Sequence, residues 1–276
     1  MNIGIIGLGL MGGSLGLTLK KSTNKYTILG YDHNPLHTKD ALRLKIVDRI
    51  VDNFDEIKSC DVIILSIPVD AIITTAKKLT DVDKDCTIID FGSSKEKISN
   101  AIPTQIRQNF ITAHPMTGTE KFGPTAAIEG LYFEQTMVVC DIEKSAKHQQ
   151  EVALKLFKDI NSKIVFMEAK EHDLHAAFIS HMPHAVSYAL ANSVMKQEDP
   201  KSILALAGGG FKSMSRIAKS SANMWEDIFR QNRENLLESI EAFNREMELC
   251  KKYLEDENWE ELHRWMNAAN RLHDIL

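Results

Sequence analysis

The stretch NIGIIGLGLMGGSLG at residues 2–16 constrains the fold more than any other part of the chain. Gly7, Gly9 and Gly12 stand in the G-x-G-x-x-G spacing, after a short β-rich apolar run and before a helical pattern. In a first βαβ unit each glycine has a task. Gly7 permits the tight turn, Gly9 lets the backbone approach a pyrophosphate, and Gly12 lets the helix pack closely on the strand. The helix N-terminus then presents unpaired N–H groups to the anion. Glycine-rich turns are common, so the spacing gains its weight from this strand–turn–helix context.

The second β-rich run ends at Asp32, which is 32 − 12 = 20 residues beyond Gly12. A carboxylate there accepts hydrogen bonds from ribose hydroxyls and repels a 2′-phosphate. The residues that follow, HNP, supply no Arg or Lys to hold such a phosphate. NAD is therefore the expected cofactor, ahead of NADP. Leu8, Leu10 and Met11, which fill the loop around the glycines, are expected beside it.

Further β-rich runs lie at 26–32, 61–67, 86–91, 109–113, 136–140 and 163–167, with helical stretches such as 70–79 and 94–102 between the early ones. Strands that are apolar on both faces and separated by helices imply a mostly parallel sheet covered on both sides. Ligands of such sheets sit at the carboxyl ends of the strands. Ser66, Ile67 and Pro68 end the third run, Gly92, Ser93 and Ser94 follow the fourth, and His114 ends the fifth. All belong to one rim, so the segment AHPMTGTE, with His114, Thr117, Thr119 and Glu120, should face the nicotinamide end of the cofactor.

After about Glu168 the strand signal stops. In the run 223–254, Ile228, Asn232, Leu236, Ile240, Phe243, Met247, Cys250 and Leu254 recur at steps of three and four, predicting one long helix with Asn232 as its polar interruption. Its broad apolar face suits a second subunit or an intramolecular bundle. The architecture is thus α/β then all-α: an N-terminal Rossmann-like dinucleotide-binding domain over 1–167, and an α-helical domain over 168–276, which a family resemblance carried by motifs in both halves implies to be the substrate and dimerisation domain of a homodimer.

Composition excludes several classes. The 33 basic and 38 acidic residues give a net charge of −5 with no basic cluster, so a nucleic-acid partner is not expected. Cys60, Cys86, Cys140 and Cys250 are scattered, as in a reduced cytoplasmic protein. The apolar N-terminus lacks a preceding basic region, and no run of about 18 apolar residues occurs, so neither a signal peptide nor a membrane span is expected.

Four histidines, His172, His175, His181 and His184, fall within EHDLHAAFISHMPHAV. Their spacing hints at a metal, but no H-E-x-x-H motif is present and Pro183 disturbs the helix between two of them. No metal is expected, and His175 is the first choice for a merely solvated or core histidine. Downstream, Gly208, Gly209 and Gly210 break the helical pattern, and Lys212 and Arg216 would share one face of the helix that follows. An Arg there can grip a carboxylate through its planar fork, although a solvated basic face is the ordinary alternative.

The motifs AHPMTGTE, SHMPHAV, GGGFKSMSRIA and MWEDIF, behind GLGLMGGSLG, resemble the prephenate dehydrogenase family across essentially the whole chain. The resemblance implies NAD-dependent oxidative decarboxylation of prephenate, or of arogenate, on the route to tyrosine. It implies that His114 is the catalytic base and that Ser93 bonds the substrate hydroxyl or orients His114. It further implies that Arg216 binds the substrate carboxylate and that His184 and His172 line the side-chain end of the site. Thr119, Glu120, Gly209, Lys212 and Trp225 match positions around the pocket. Ser213 stands where some relatives carry an acidic residue, which puts in doubt a charge pair proposed for the family. The resemblance leaves no room for a fused chorismate mutase or a C-terminal ACT domain. Two rivals are a β-hydroxyacid dehydrogenase, whose catalytic lysine has no convincing equivalent, and a binding module that keeps the NAD fold as a sensor.

Overall fold

The computed structural model describes residues 1–275; Leu276, the last residue of the expected helical domain, lies outside them. Strand β1 (Asn2–Ile6) turns at Gly7 into α1 (Leu10–Lys21), and the chain then alternates through β2 (Thr27–Tyr31), α2 (Pro35–Arg43), β3 (Arg49–Ile50) and α3 (Phe54–Lys58). It continues through β4 (Val62–Leu65), α4 (Val69–Ala76), β5 (Thr87–Asp90), α5 (Glu96–Ala101) and β6 (Phe110–Pro115). The sheet half closes with β7 (Thr136–Cys140), α6 (Lys147–Asp159) and β8 (Lys163–Met167). The sheet has the order β3-β2-β1-β4-β5-β6-β7-β8, and every neighbouring pair is parallel except β6 and β7. The unforeseen strand is β3, whose two residues are too few to show a period.

Apolar residues alternate between two cores. Val62 and Ile64 of β4 join Ile3, Ile5, Ile28, Ile89, Leu156 and Phe157 on one face. Ile63 and Leu65 join Leu29, Ile72, Ile88, Ile98 and Phe110 on the other. Strands buried on both sides by helices are what continuous Val/Ile/Leu runs require.

The helical half comprises α7 (Ala169–Ala176), α8 (Met182–Met195), α9 (Pro200–Ala205), α10 (Gly209–Ser215), α11 (Ala222–Gln231), α12 (Arg233–Glu255) and α13 (Trp259–Asn270). Pro183 does not break the chain's helical path. A π turn over Ala177–His181 joins α7 to α8, and a widened turn there accommodates a residue that has no N–H to donate.

The long helix expected over 223–254 is two helices. Asn232 leaves helical geometry at φ −114° and ψ 35°, and its buried amide donates to Asp173 O at 2.6 Å and to His181 Nδ1 at 3.1 Å. A side chain satisfied by those partners fixes the break at the one polar position of the stripe. Compactness also divides the chain here, into Met1–Asn232 and the residues from Arg233 onward, rather than where the strands end. The reason is that α7 packs on β7 and α5 while α11 packs on α4, so the first helices belong with the sheet. Within the second unit α12 packs on α13, and Trp265 Nε1 donates to Glu246 Oε2 at 2.7 Å. Among the described residues no helix is long and apolar enough to cross a membrane.

Candidate active site

The glycine loop has the form that its spacing predicts. Gly7 has φ +92°, and a Cβ there would lie 2.4 Å from Ser66 O. A Cβ on Gly12 would lie 2.0 Å from Gly7 O, so only glycine lets α1 approach the turn. Gly9, by contrast, would meet nothing within 4 Å, and it caps α1 without a side-chain hydrogen bond. An open glycine before an uncapped helix N-terminus fits the pyrophosphate of a dinucleotide.

Neighbouring side chains brace this loop. Asp32, with its side chain 5% exposed, accepts Leu8 N and Asn34 N at 2.8 Å each. Ser66 Oγ donates to Gly7 O at 2.7 Å, so this residue, expected beside the cofactor, ties the end of β4 to the turn. Leu8 buries its side chain in the core and gives its N–H to Asp32. Met11 O accepts from the buried Tyr132 hydroxyl at 2.6 Å. Leu10 opens α1, Ile67 is half-buried and Pro68 precedes α4.

His114 lies on β6 beyond the last residue paired with β5, where Asp90 faces Thr112. Ser93 is half-buried in the loop that leaves β5, on the same rim. His114 Nδ1 is 2.8 Å from His172 Nε2, and His172 Nδ1 is 2.8 Å from Asp173 Oδ1. Asp173 also accepts Lys95 N at 2.7 Å and Glu96 N at 2.9 Å, at the start of α5. Burial, followed by His172, Lys95 and His181, holds His114 well below the ordinary pKa of 6.5 and therefore neutral. His172 is 2% exposed, and both of its ring nitrogens are engaged, one with His114 and the other with Asp173.

A second group gathers on the helical side. Arg216 Nη1 lies 3.3 Å from Glu120 Oε2, which joins two residues that the motifs single out separately. His184 stacks on Trp225 with ring centroids 3.4 Å apart, and its Nδ1 donates to Ser180 O at 2.9 Å. Burial chiefly, with Arg216 assisting, lowers the His184 pKa. Thr119 Oγ1 accepts Lys121 N at 3.2 Å. Gly209 and Lys212 are exposed on α10, but Arg216 begins a 3-10 turn instead of continuing that helix. His175 is exposed.

Residues that sequence reasoning passed over hold the rim together. Lys95 and Asp90 are both fully buried; the Lys95 ammonium bonds Asp90 and donates to Ala113 O at 2.7 Å. Burial pushes the Asp90 carboxyl upward, opposed by Lys95 and the amides of Gly92 and Ala113. A lysine two residues past Ser93 and an aspartate directly after His172 were the available signals. Neither forms a motif.

The comparisons decide the family. The description "Prephenate dehydrogenase, nucleotide-binding domain" matches residues 15–166, and "Prephenate dehydrogenase, dimerization domain" matches residues 168–268. The chain belongs to the prephenate dehydrogenase family. It is 31% identical to the prephenate dehydrogenase of Bacillus subtilis over 99% of this chain and 75% of that protein. Its fold matches the crystal structure of Aquifex aeolicus prephenate dehydrogenase, in complex with hydroxyphenyl propionate and NAD+, with a TM-score of 0.93 and 32% identity. That match covers 100% of this chain and 98% of the other. Arogenate dehydrogenase of Synechocystis matches with a TM-score of 0.82 and 26% identity, covering 99% of each chain. Membership in the prephenate dehydrogenase family sets aside the β-hydroxyacid dehydrogenase alternative.

Proposed function

We propose that the chain oxidatively decarboxylates prephenate to 4-hydroxyphenylpyruvate in tyrosine biosynthesis, with NAD+ as oxidant. The observation that carries this reading is the neutral, half-buried His114 on the rim of a sheet whose glycine loop fits a dinucleotide. His114 accepts the proton of the ring hydroxyl as that carbon gives up hydride. The ring carboxylate leaves as carbon dioxide, and its bonding electrons complete the aromatic ring. NAD+, when bound, supplies the two-electron acceptor.

Gly7, Gly9, Leu10, Met11, Gly12 and Asp32, with Ser66, Ile67 and Pro68, form the cofactor side. Ser93 bonds the substrate hydroxyl or orients His114. Arg216 exchanges Glu120 for the substrate carboxylate, while His184, Trp225, Thr119, Gly209 and Lys212 shape the remaining wall. The segment 168–276 supplies the substrate and dimerisation domain of a cytoplasmic homodimer. The half-exposed Met247 and Leu254 on the apolar stripe of α12 support that last point.

The test is NADH formation by the purified chain with NAD+ and either prephenate or arogenate, repeated with NADP+. Turnover with prephenate and NAD+ is expected. Turnover with arogenate alone would move the substrate assignment while keeping the chemistry. NAD+ binding without turnover on either would return the chain to the sensor reading.

A further inference from the structure

His172 and Asp173 of α7 meet the backbone N–H groups of Lys95 and Glu96, at the start of α5, behind His114, and their hydrogen bonds have a direction. Asp173 accepts two backbone amides, Lys95 N at 2.7 Å on one carboxylate oxygen and Glu96 N at 2.9 Å on the other. An ionised carboxylate can only accept, so His172 Nδ1, 2.8 Å from Asp173 Oδ1, must carry its proton. In neutral His172 the other nitrogen, Nε2, is then a bare acceptor. It faces His114 Nδ1 at 2.8 Å, so His114 carries its own proton on Nδ1. The opposite arrangement would set two lone pairs against each other between His172 and Asp173.

We propose that Asp173 and His172 are positioning residues that hold His114 in the tautomer with Nε2 bare, so that this nitrogen takes the substrate proton, and that their relay stabilises the imidazolium that results. The inference rests on the reading of His114 as the base. No charge needs to enter or leave: the hydroxyl proton goes to Nε2, the Nδ1 proton stays between the two rings, and Asp173 keeps its negative charge nearby. This is the logic of an oriented general base, carried through one additional imidazole.

The charged and titratable groups around His114 come from several directions. His172 and Asp173 lie on α7, His181 on the π turn, Lys95 before α5, and Asp90 at the end of β5. Burial, then His172, Lys95 and His181, oppose protonation of His114, and Asp173 is the carboxylate in line with its ring through His172, the anion that offsets them along this line. Asp90 spends its oxygens on Lys95, Gly92 N and Ala113 N.

The first readout needs no turnover. Long-range nitrogen–proton NMR of the full chain, labelled in its histidine rings, distinguishes a protonated Nδ1 from a protonated Nε2. The wild type should show His114 protonated on Nδ1, and Asp173→Asn should reverse it by offering an amide donor to His172 Nδ1. Wild-type His114 protonated on Nε2 would overturn the proposal, whatever reaction the chain catalyses. In turnover, Asp173→Asn should lower kcat by about 10²–10⁴, with NAD+ affinity within about threefold of wild type. The acid limb of its residual kcat should move to lower pH, because the imidazolium has lost its anion.

Asp173 also caps α5, so a second pair of variants separates orientation from folding. His172→Gln can accept from His114 and donate to Asp173, and should lose about tenfold. His172→Leu can do neither, and should lose about 10²-fold or more. Equal activity in these two variants, or an unmoved acid limb in His172→Leu, would overturn the relay even if His114 remained the base.

Discussion

The Lys95 ammonium donates to Ala113 O at 2.7 Å, one residue before His114, while its own backbone N–H is held by Asp173. A single fully buried lysine thus joins the loop that carries Ser93 to the strand that carries His114, with Asp90 as its counterion. Removing one partner of such a pair leaves the other charge uncompensated in the interior. Lys95→Met should therefore cost about 3–5 kcal/mol of stability. Asp90→Asn combined with Lys95→Met should recover part of it. Denaturant unfolding measures both, and a Lys95→Met chain as stable as wild type would refute the clamp.

His114→Asn should lower kcat by about 10²–10⁴, the usual range for losing a general base. A base works in its unprotonated form, and His114 sits well below 6.5. The acid limb of kcat in the wild type should accordingly fall below pH 6.5, with the rate declining only as the pH drops further. Steady-state rates across pH check both statements. An acid limb above neutrality would reject the assigned environment of His114.

Arg216 and Glu120 pair at 3.3 Å, with Arg216 59% exposed, so the pair should contribute less than about 1 kcal/mol to stability. Its consequence lies in binding. Arg216→Gln should raise KM with little change in kcat, because the carboxylate is gripped in the ground state as well as in the transition state. Glu120→Gln should lower KM a few-fold by releasing the guanidinium from competition. A raised KM in Glu120→Gln would instead make the glutamate a direct substrate contact.

Asp32 braces the glycine loop through Leu8 N and adjoins the expected ribose position. Asp32→Ala should weaken NAD+ binding and narrow the preference over NADP+. It should also cost about 1–3 kcal/mol, since two amides lose their acceptor. Titration with each dinucleotide and thermal unfolding give the answer. Unchanged preference would remove Asp32 from cofactor selection.

His181 carries a pH dependence of stability. Burial lowers its pKa to about 4, and Asn232 donates to its Nδ1. The unfolded histidine titrates near 6.5. Below that value the unfolded chain takes up a proton that the folded chain refuses, so stability falls as the pH drops from about 6.5 to about 4. The contribution approaches 3 kcal/mol by this linkage. His181→Phe should flatten that part of the stability profile. An equally steep decline in the variant would assign it to other groups.

What the sequence determined by itself was local or periodic. The glycine spacing, the placing of Asp32 after β2, the doubly apolar strands and the position of His114 at a strand end all follow from short-range pattern. A turn that needs φ +92° admits little but glycine, and a run of Ile and Val can be buried on both faces wherever the sheet closes. Tertiary structure alone decided which polar groups meet. His114 and His172 are 58 residues apart, and Asp173 reaches an amide 78 residues away; no period in the chain announces such contacts. The break at Asn232 was visible as a polar residue in an apolar stripe. That it ends a helix depended on Asp173 and His181 being there to satisfy its amide. The buried pair of Lys95 and Asp90 was hidden for the same reason, because a charged residue reveals its burial only when its partner, brought by the fold, is in place.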